Sequence, residues 1–141
     1  MAELWKRGIP RTASYPILSK FDLAHVVILG TGLDKSHHRW GNAQRVTKLR
    51  NHFVHFEPAW SQHGAPAGEP TSAENNFEDL AHFFEPNPFA QPANPFYPDK
   101  LLGHGCAEWS FKAALGFADW FWGNIGVEPV YHQYRKSFAT R

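Results

Sequence analysis

Proline sets the first limit on what this chain can fold into. Eight of its eleven prolines lie between residues 57 and 104 of a 141-residue chain. A proline ring removes one N–H and clashes with the preceding helical turn. No long helix can therefore cross that span, although a short one can sit between prolines. The stretch "EPNPFAQPANPFYPDK" alternates proline with Phe and Tyr. That is too aromatic for a free linker, and such a segment can wrap over a helical body with its rings pressed into grooves.

The flanks carry helical spacing. Ser14 can cap a first helix with Pro16 in its first turn. Leu18, Phe21, His25 and Ile28 then recur three and four residues apart until Gly30 and Gly32, which predicts a helix over 15–29. Asp34 or Ser36 can cap a second helix, 36–56, with Trp40, Ala43, Val46, Leu49, Phe53 and Phe56 at helical spacing and Pro58 beyond it. A short amphipathic helix is expected after Ser72, through Phe77, Leu80, Ala81 and Phe84. A last helix, 105–125, carries Ala107, Phe111, Ala114, Leu115, Ala118, Phe121, Trp122 and Ile125 as its apolar face, and Gly126 closes it. Trp109, Phe117 and Trp120 lie off that stripe, so the helix should be central or bury a second face. No segment alternates as a strand should. The expected class is all-α, a small helical bundle with a long proline- and aromatic-rich connecting segment. It forms one domain over 1–141, with 1–13 and 127–141 peripheral and irregular.

Composition narrows the function classes. The chain is 43% hydrophobic and 16% aromatic, which suits a packed core rather than disorder. Its one cysteine, Cys106, excludes an internal disulfide and any zinc site with two thiolates. No window has the roughly 18 continuous apolar residues of a membrane span, and the N-terminus lacks an apolar signal core. A cytoplasmic protein with no membrane partner is expected. The net charge is only +1, but it is unevenly laid out. Residues 35–56 hold five Lys/Arg, four His and no acid, whereas 51–99 hold seven acids and no Lys or Arg. A local basic stripe is the footprint of a phosphate-bearing partner. A solvated helix face is the commoner origin of such a run.

The densest chemistry is "LRNHFVHFE", Leu49 to Glu57. With about 100° per residue and Arg50 at zero, Val46, Leu49, Phe53 and Phe56 fall at about 240–320°, the expected core face. Asn51 and His55 share a polar strip with Gln44 and Lys48. Arg50 falls between Ala43 and Val54, which predicts partial burial and a need for an anionic or carbonyl partner.

The pattern Leu49-Arg50-Asn51 followed by His55-Phe56 resembles the signature of HEPN domains, small helical bundles with Arg and His four to six residues apart. The stretch "NPFYPDKLLGHGCAEWSFKAALGF" also resembles segments of bacterial proteins that carry the same Leu-Arg-Asn…His stretch. The HEPN resemblance implies a metal-independent endoribonuclease with its site between two protomers. It further implies RNA as substrate, no cofactor, a place in a toxin or defence system, and an antitoxin protein as a further partner. HEPN-like domains also serve as inert dimerisation or partner-binding modules, which is the alternative.

The chemistry fits those residue types. Cleavage without metal needs the 2′-OH deprotonated, the phosphorane stabilised and the leaving oxygen protonated. His55 suits proton transfer. Arg50, always cationic and bidentate, suits the phosphorane oxygens. Asn51 can orient either. Arg50 and His55 stand about 140° apart on one helix, so a two-fold pairing of helices would be needed to converge them. Arg39, Arg45, Lys48 and His52 would hold the RNA backbone, with Trp40 as a stacking ring. The bland reading has Arg50, Asn51 and His55 as a network tying this helix to the proline-rich segment. A metal on His52 and His55 with His37, His38 or Glu57 is disfavoured, because no local set has standard ligand spacing. Cys106, at a helix start, is better read as a buried thiol than as a reactive one.

Overall fold

The computed structural model describes residues 16–54 and 77–138. All described elements are helical, with no strand among them: α1 (Ile17–Leu29), α2 (His38–Val54), three-ten turn Glu78–Leu80, helical turn Phe96–Lys100, α3 (His104–Asn124) and three-ten stretch Val130–Phe138. The proposed Ser14 cap, the start of the helix at Ser72, and His55 and Phe56 lie outside the described residues. Packing divides the chain into two compact units, one within Met1–Lys35 and Phe121–Arg141, the other Ser36–Trp120. No described helix is long and apolar enough to cross a membrane.

The first unit is organised around α1. Gly30 ends the helix in the left-handed region (φ 77°), and its N–H bonds the Val26 carbonyl at 2.9 Å, as a glycine C-cap should. The chain then folds back. Asp22 accepts the Leu33 N–H at 2.9 Å and pairs with Lys35 Nζ at 2.8 Å. His25 donates from Nδ1 to the Thr31 carbonyl at 2.6 Å. The Lys35 bond first, and the Leu33 N–H second, hold the Asp22 carboxyl below the usual carboxylate range. This loop claims the Leu18–Asp22–His25 face, at i, i+4 and i+7. Leu18, His25 and Leu33 are buried there, and Phe21 meets Phe121 edge-on at 4.9 Å. Ile28, expected on the core side, is instead 55% exposed, next to exposed Val26, Val27 and Leu29. The tail also departs from expectation. Residues 130–138 form a three-ten stretch, begun where His132 N–H bonds the Pro129 carbonyl at 3.0 Å.

In the second unit α2 buries different faces at its two ends. Its N-terminal half buries Trp40 and Ala43. Trp40 meets Phe117 of α3 at 6.2 Å, and a ladder of rings continues through Phe117–Trp120, Trp120–His37 (stacked, 4.6 Å) and His37–His38. Its C-terminal half buries Leu49 among Phe77, Leu80, Tyr97, Leu101 and Cys106, with Phe83, Phe84, Phe96 and Trp109 packed round them. Phe77, Leu80 and Leu101 are fully buried, each worth about 1.5–3 kcal/mol relative to exposure. The segment after residue 76 takes three-ten geometry because Phe77, Leu80 and Phe83 all turn inward. A three-residue period aligns such a row better than 3.6 does.

On α3 Cys106, Phe117 and Phe121 are buried, with Trp109, Ala113 and Trp120 partly buried; Phe121 belongs to the expected stripe, whereas Phe117, Trp109 and Trp120 lie off it. Ala107, Phe111 and Ala114 are left exposed. Leu115, Ala118, Trp122 and Ile125 of the expected stripe are partly buried, so the helix buries rings on a second face as well. The loop leading into α3 is clamped. Asn87 bonds Lys100 O and Asp99 O through its N–H and side chain, at 2.8 and 3.1 Å. A Cβ on Gly105 would stand 2.5 Å from the Glu85 carbonyl oxygen, so backbone meets backbone there. Gly105→Ala should therefore cost about 1–3 kcal/mol, read as a lowered midpoint in urea unfolding.

Candidate functional site

The basic residues of α2 divide into two groups. Arg45 donates from Nε to Asp79 at 3.4 Å, with its guanidinium 4.9 Å from the Phe83 ring centre. Lys48 Nζ stands 5.3 Å from the Phe77 centroid. The half-buried His52 ring packs edge-on to Phe77 and Tyr97 at 5.1 and 4.7 Å. These three tie α2 to the 77–101 segment, the task the bland sequence reading gave to Arg50. Arg50 does not share it. Its side chain is exposed and donates from Nη1 to Asn51 Oδ1 at 3.0 Å.

Three expectations are thereby corrected. Arg50 is not partly buried, and among the described residues its one hydrogen-bond partner is the neighbouring amide. Phe53, placed on the core face by the helical wheel, is 42% exposed, and Val54 beside it is 57% exposed. Trp40 is 5% exposed against Phe117, so it is a core ring and cannot stack on a base. The common cause is that α2 changes its buried face part-way along. His55 lies outside the described residues, so its approach to Arg50 and Asn51 is not part of the described geometry.

Arg39, at the other end of α2, belongs to a feature that sequence reasoning missed. A cleft of about 200 Å³ is lined by His38, Arg39 and Asn42 of α2 and by Trp109, Lys112, Ala113 and Gly116 of α3. Beyond Trp109 and Lys112 it meets a wider groove of about 420 Å³, walled by Phe83, Phe84, Pro86 and Pro88, with Glu85, His104 and Glu108 at its edge. Lys112 donates to Glu108 Oε1 at 2.6 Å, and His104 lies 3.7 Å from the other oxygen. The Lys112 bond and charge hold the Glu108 carboxyl below its usual range. The local signal was Glu108 and Lys112 at i, i+4. Nothing local could pair Lys112 with Arg39.

Cys106 is buried, and burial pushes its thiol up although the Ser110 side chain pulls the other way. It is a core thiol and a poor nucleophile. Among the described residues no three His, Cys, Asp or Glu side chains converge as a metal site would require.

The division of labour on α2 makes a stability prediction. Arg50→Ala should move the melting temperature by less than about 3 °C, as surface substitutions do. Leu49→Ala, one residue away, should cost about 2–5 kcal/mol. Paired thermal melts of the two variants check this. Comparison of the chain with family models, with curated proteins and with solved structures finds no match.

Proposed function

We propose that this protein is a metal-independent endoribonuclease of the HEPN type, acting as a homodimer through the C-terminal end of α2. The observation that supports the reading is that Arg50, Asn51, Phe53 and Val54 are exposed together. A cation that no core contact requires stands beside apolar side chains that a second chain could cover. No acid lies on α2 to neutralise it. In this reading Arg50 stabilises the phosphorane, Asn51 orients the phosphate, and His55 transfers the proton. The exposed Lys48 side chain assists with backbone phosphates. A two-fold axis beside α2 supplies the convergence that one helix cannot. Work in the cytoplasm, within a toxin or defence system and under an antitoxin protein, completes the proposal.

The second reading is a non-catalytic dimerisation or partner-binding module. It is favoured by the engagement of Arg45 and His52 within the chain and by the Arg50–Asn51 bond, which occupies the amide oxygen.

Incubation of the purified protein with RNA in EDTA separates the two. The endoribonuclease reading predicts cleavage that falls at least about a hundredfold in His55→Ala and in Arg50→Ala, with both variants folded. A folded His55→Ala protein that cuts RNA at the parental rate would sink it. The module reading predicts intact RNA throughout.

A further inference from the structure

The two clefts that share Trp109 and Lys112 differ in charge. The smaller one, about 200 Å³, has Arg39, Lys112, His38 and Asn42 on its walls and no acid. Arg39 makes no ion pair among the described residues, and Lys112 gives one of its three donors to Glu108. Two cations with an amide beside them match the negative charge of a phosphate ester.

The larger cleft, about 420 Å³, has the opposite character. Phe83, Phe84 and Trp109 form an aromatic wall, with Trp109 at 5.4 and 5.7 Å from the two Phe centroids. Glu85 supplies a carboxylate with no ion pair among the described residues, while Glu108 is paired with Lys112, and Lys112 and His104 also line this cleft. Rings flanked by carboxylates attract an organic cation through their faces and by charge. The ring wall already holds one cation, the Arg45 guanidinium over Phe83.

We propose that this double cleft binds a small zwitterion, with a phosphate ester between Arg39 and Lys112 and an alkylammonium group against Phe83, Phe84 and Trp109 beside Glu85. That is the chemistry of phosphocholine and phosphoethanolamine, either free or as a lipid headgroup. The polarity follows from the acids, because the smaller cleft has none on its walls, whereas the larger has Glu85 and a Glu108 already paired with Lys112. The site is preformed. Glu85 sits on backbone pressed against Gly105 of α3, and the following turn is locked by Asn87, whose side-chain oxygen also accepts the Phe89 N–H at 3.1 Å. Gly116 floors the phosphate compartment, and a Cβ added there meets nothing within 4 Å. A larger side chain would fill the space a ligand needs. The site is separate from Arg50: Arg39 lies eleven residues before it on α2, roughly 16 Å along its axis.

Calorimetric titration of the whole protein tests this with four probes: phosphocholine, choline, inorganic phosphate and vesicles of phosphatidylcholine. Phosphocholine should bind at least about tenfold more tightly than choline or phosphate alone. Arg39→Gln should weaken phosphocholine about tenfold and leave choline unchanged; Glu85→Gln should weaken phosphocholine and choline and leave phosphate unchanged. Gly116→Leu, which removes no charge, should abolish phosphate and phosphocholine binding in a protein whose circular dichroism is unaltered. Vesicle binding at least as tight as free phosphocholine identifies a lipid headgroup; its absence identifies the free ester. Either result supports the site. Absence of phosphocholine binding, equal binding of inorganic phosphate and phosphocholine, or affinities unmoved by all three substitutions would overturn it.

Discussion

Burial of Leu49 against Phe77, Leu80, Tyr97 and Leu101 sets the orientation of everything else on α2. A helix residue cannot turn without turning its neighbours by about 100° each. With Leu49 inward, Lys48 and His52 reach the 77–101 segment, and Arg50 and Asn51 turn out to solvent. The same contact anchors the described part of the proline-rich segment, residues 77–101, whose backbone hydrogen bonds are short turns. Its rings, these turns and the side-chain bonds of Asn87 and Lys100 hold it. The exposure of the arginine follows from the burial of the leucine before it.

Much of the fold was legible in the sequence. Apolar spacing of three and four residues located α1, α2 and α3, and glycine located two of their ends, with Gly30 and Gly126 at positive φ. Proline density correctly denied a long helix to the described part of the 57–104 span. The faces were harder to read. A helical wheel treats a helix as having one buried side, yet α2 buries Trp40 and Ala43 at one end and Leu49 at the other, against different neighbours. Reading one continuous face put Phe53 inside, and Trp40, although on the apolar spacing, was also assigned to stacking on RNA. On α3 two candidate stripes competed. Phe121 of the expected stripe and Phe117 off it are both buried, so neither stripe alone is the buried face.

The site was legible only where it is local. Arg50 and Asn51 are neighbours in sequence, so their bond needed no fold to predict a relationship. That Arg39 and Lys112 line one cleft depends on how α2 packs against α3, and no spacing rule encodes it. The same holds for Arg45 and Asp79, which the basic and acidic runs of the sequence made separate features. Once folded, the acid-free stretch that looked like one phosphate-binding stripe has three uses. Arg45 and His52 hold the second unit together, Arg39 faces an acid-free cleft, and Arg50 faces outward. A basic run is therefore best divided by what each guanidinium or ammonium touches before any part of it is assigned to a ligand.

The central claim is that the Arg50–Asn51 end of α2 is a surface between two chains. A spin label at Asn51→Cys, in a protein whose buried Cys106 is replaced by Ser, tests it directly by pulsed dipolar spectroscopy. The account predicts a defined inter-chain distance that persists on dilution and sharpens when RNA is added. A featureless monomer-like decay from folded protein, with and without RNA, would contradict it.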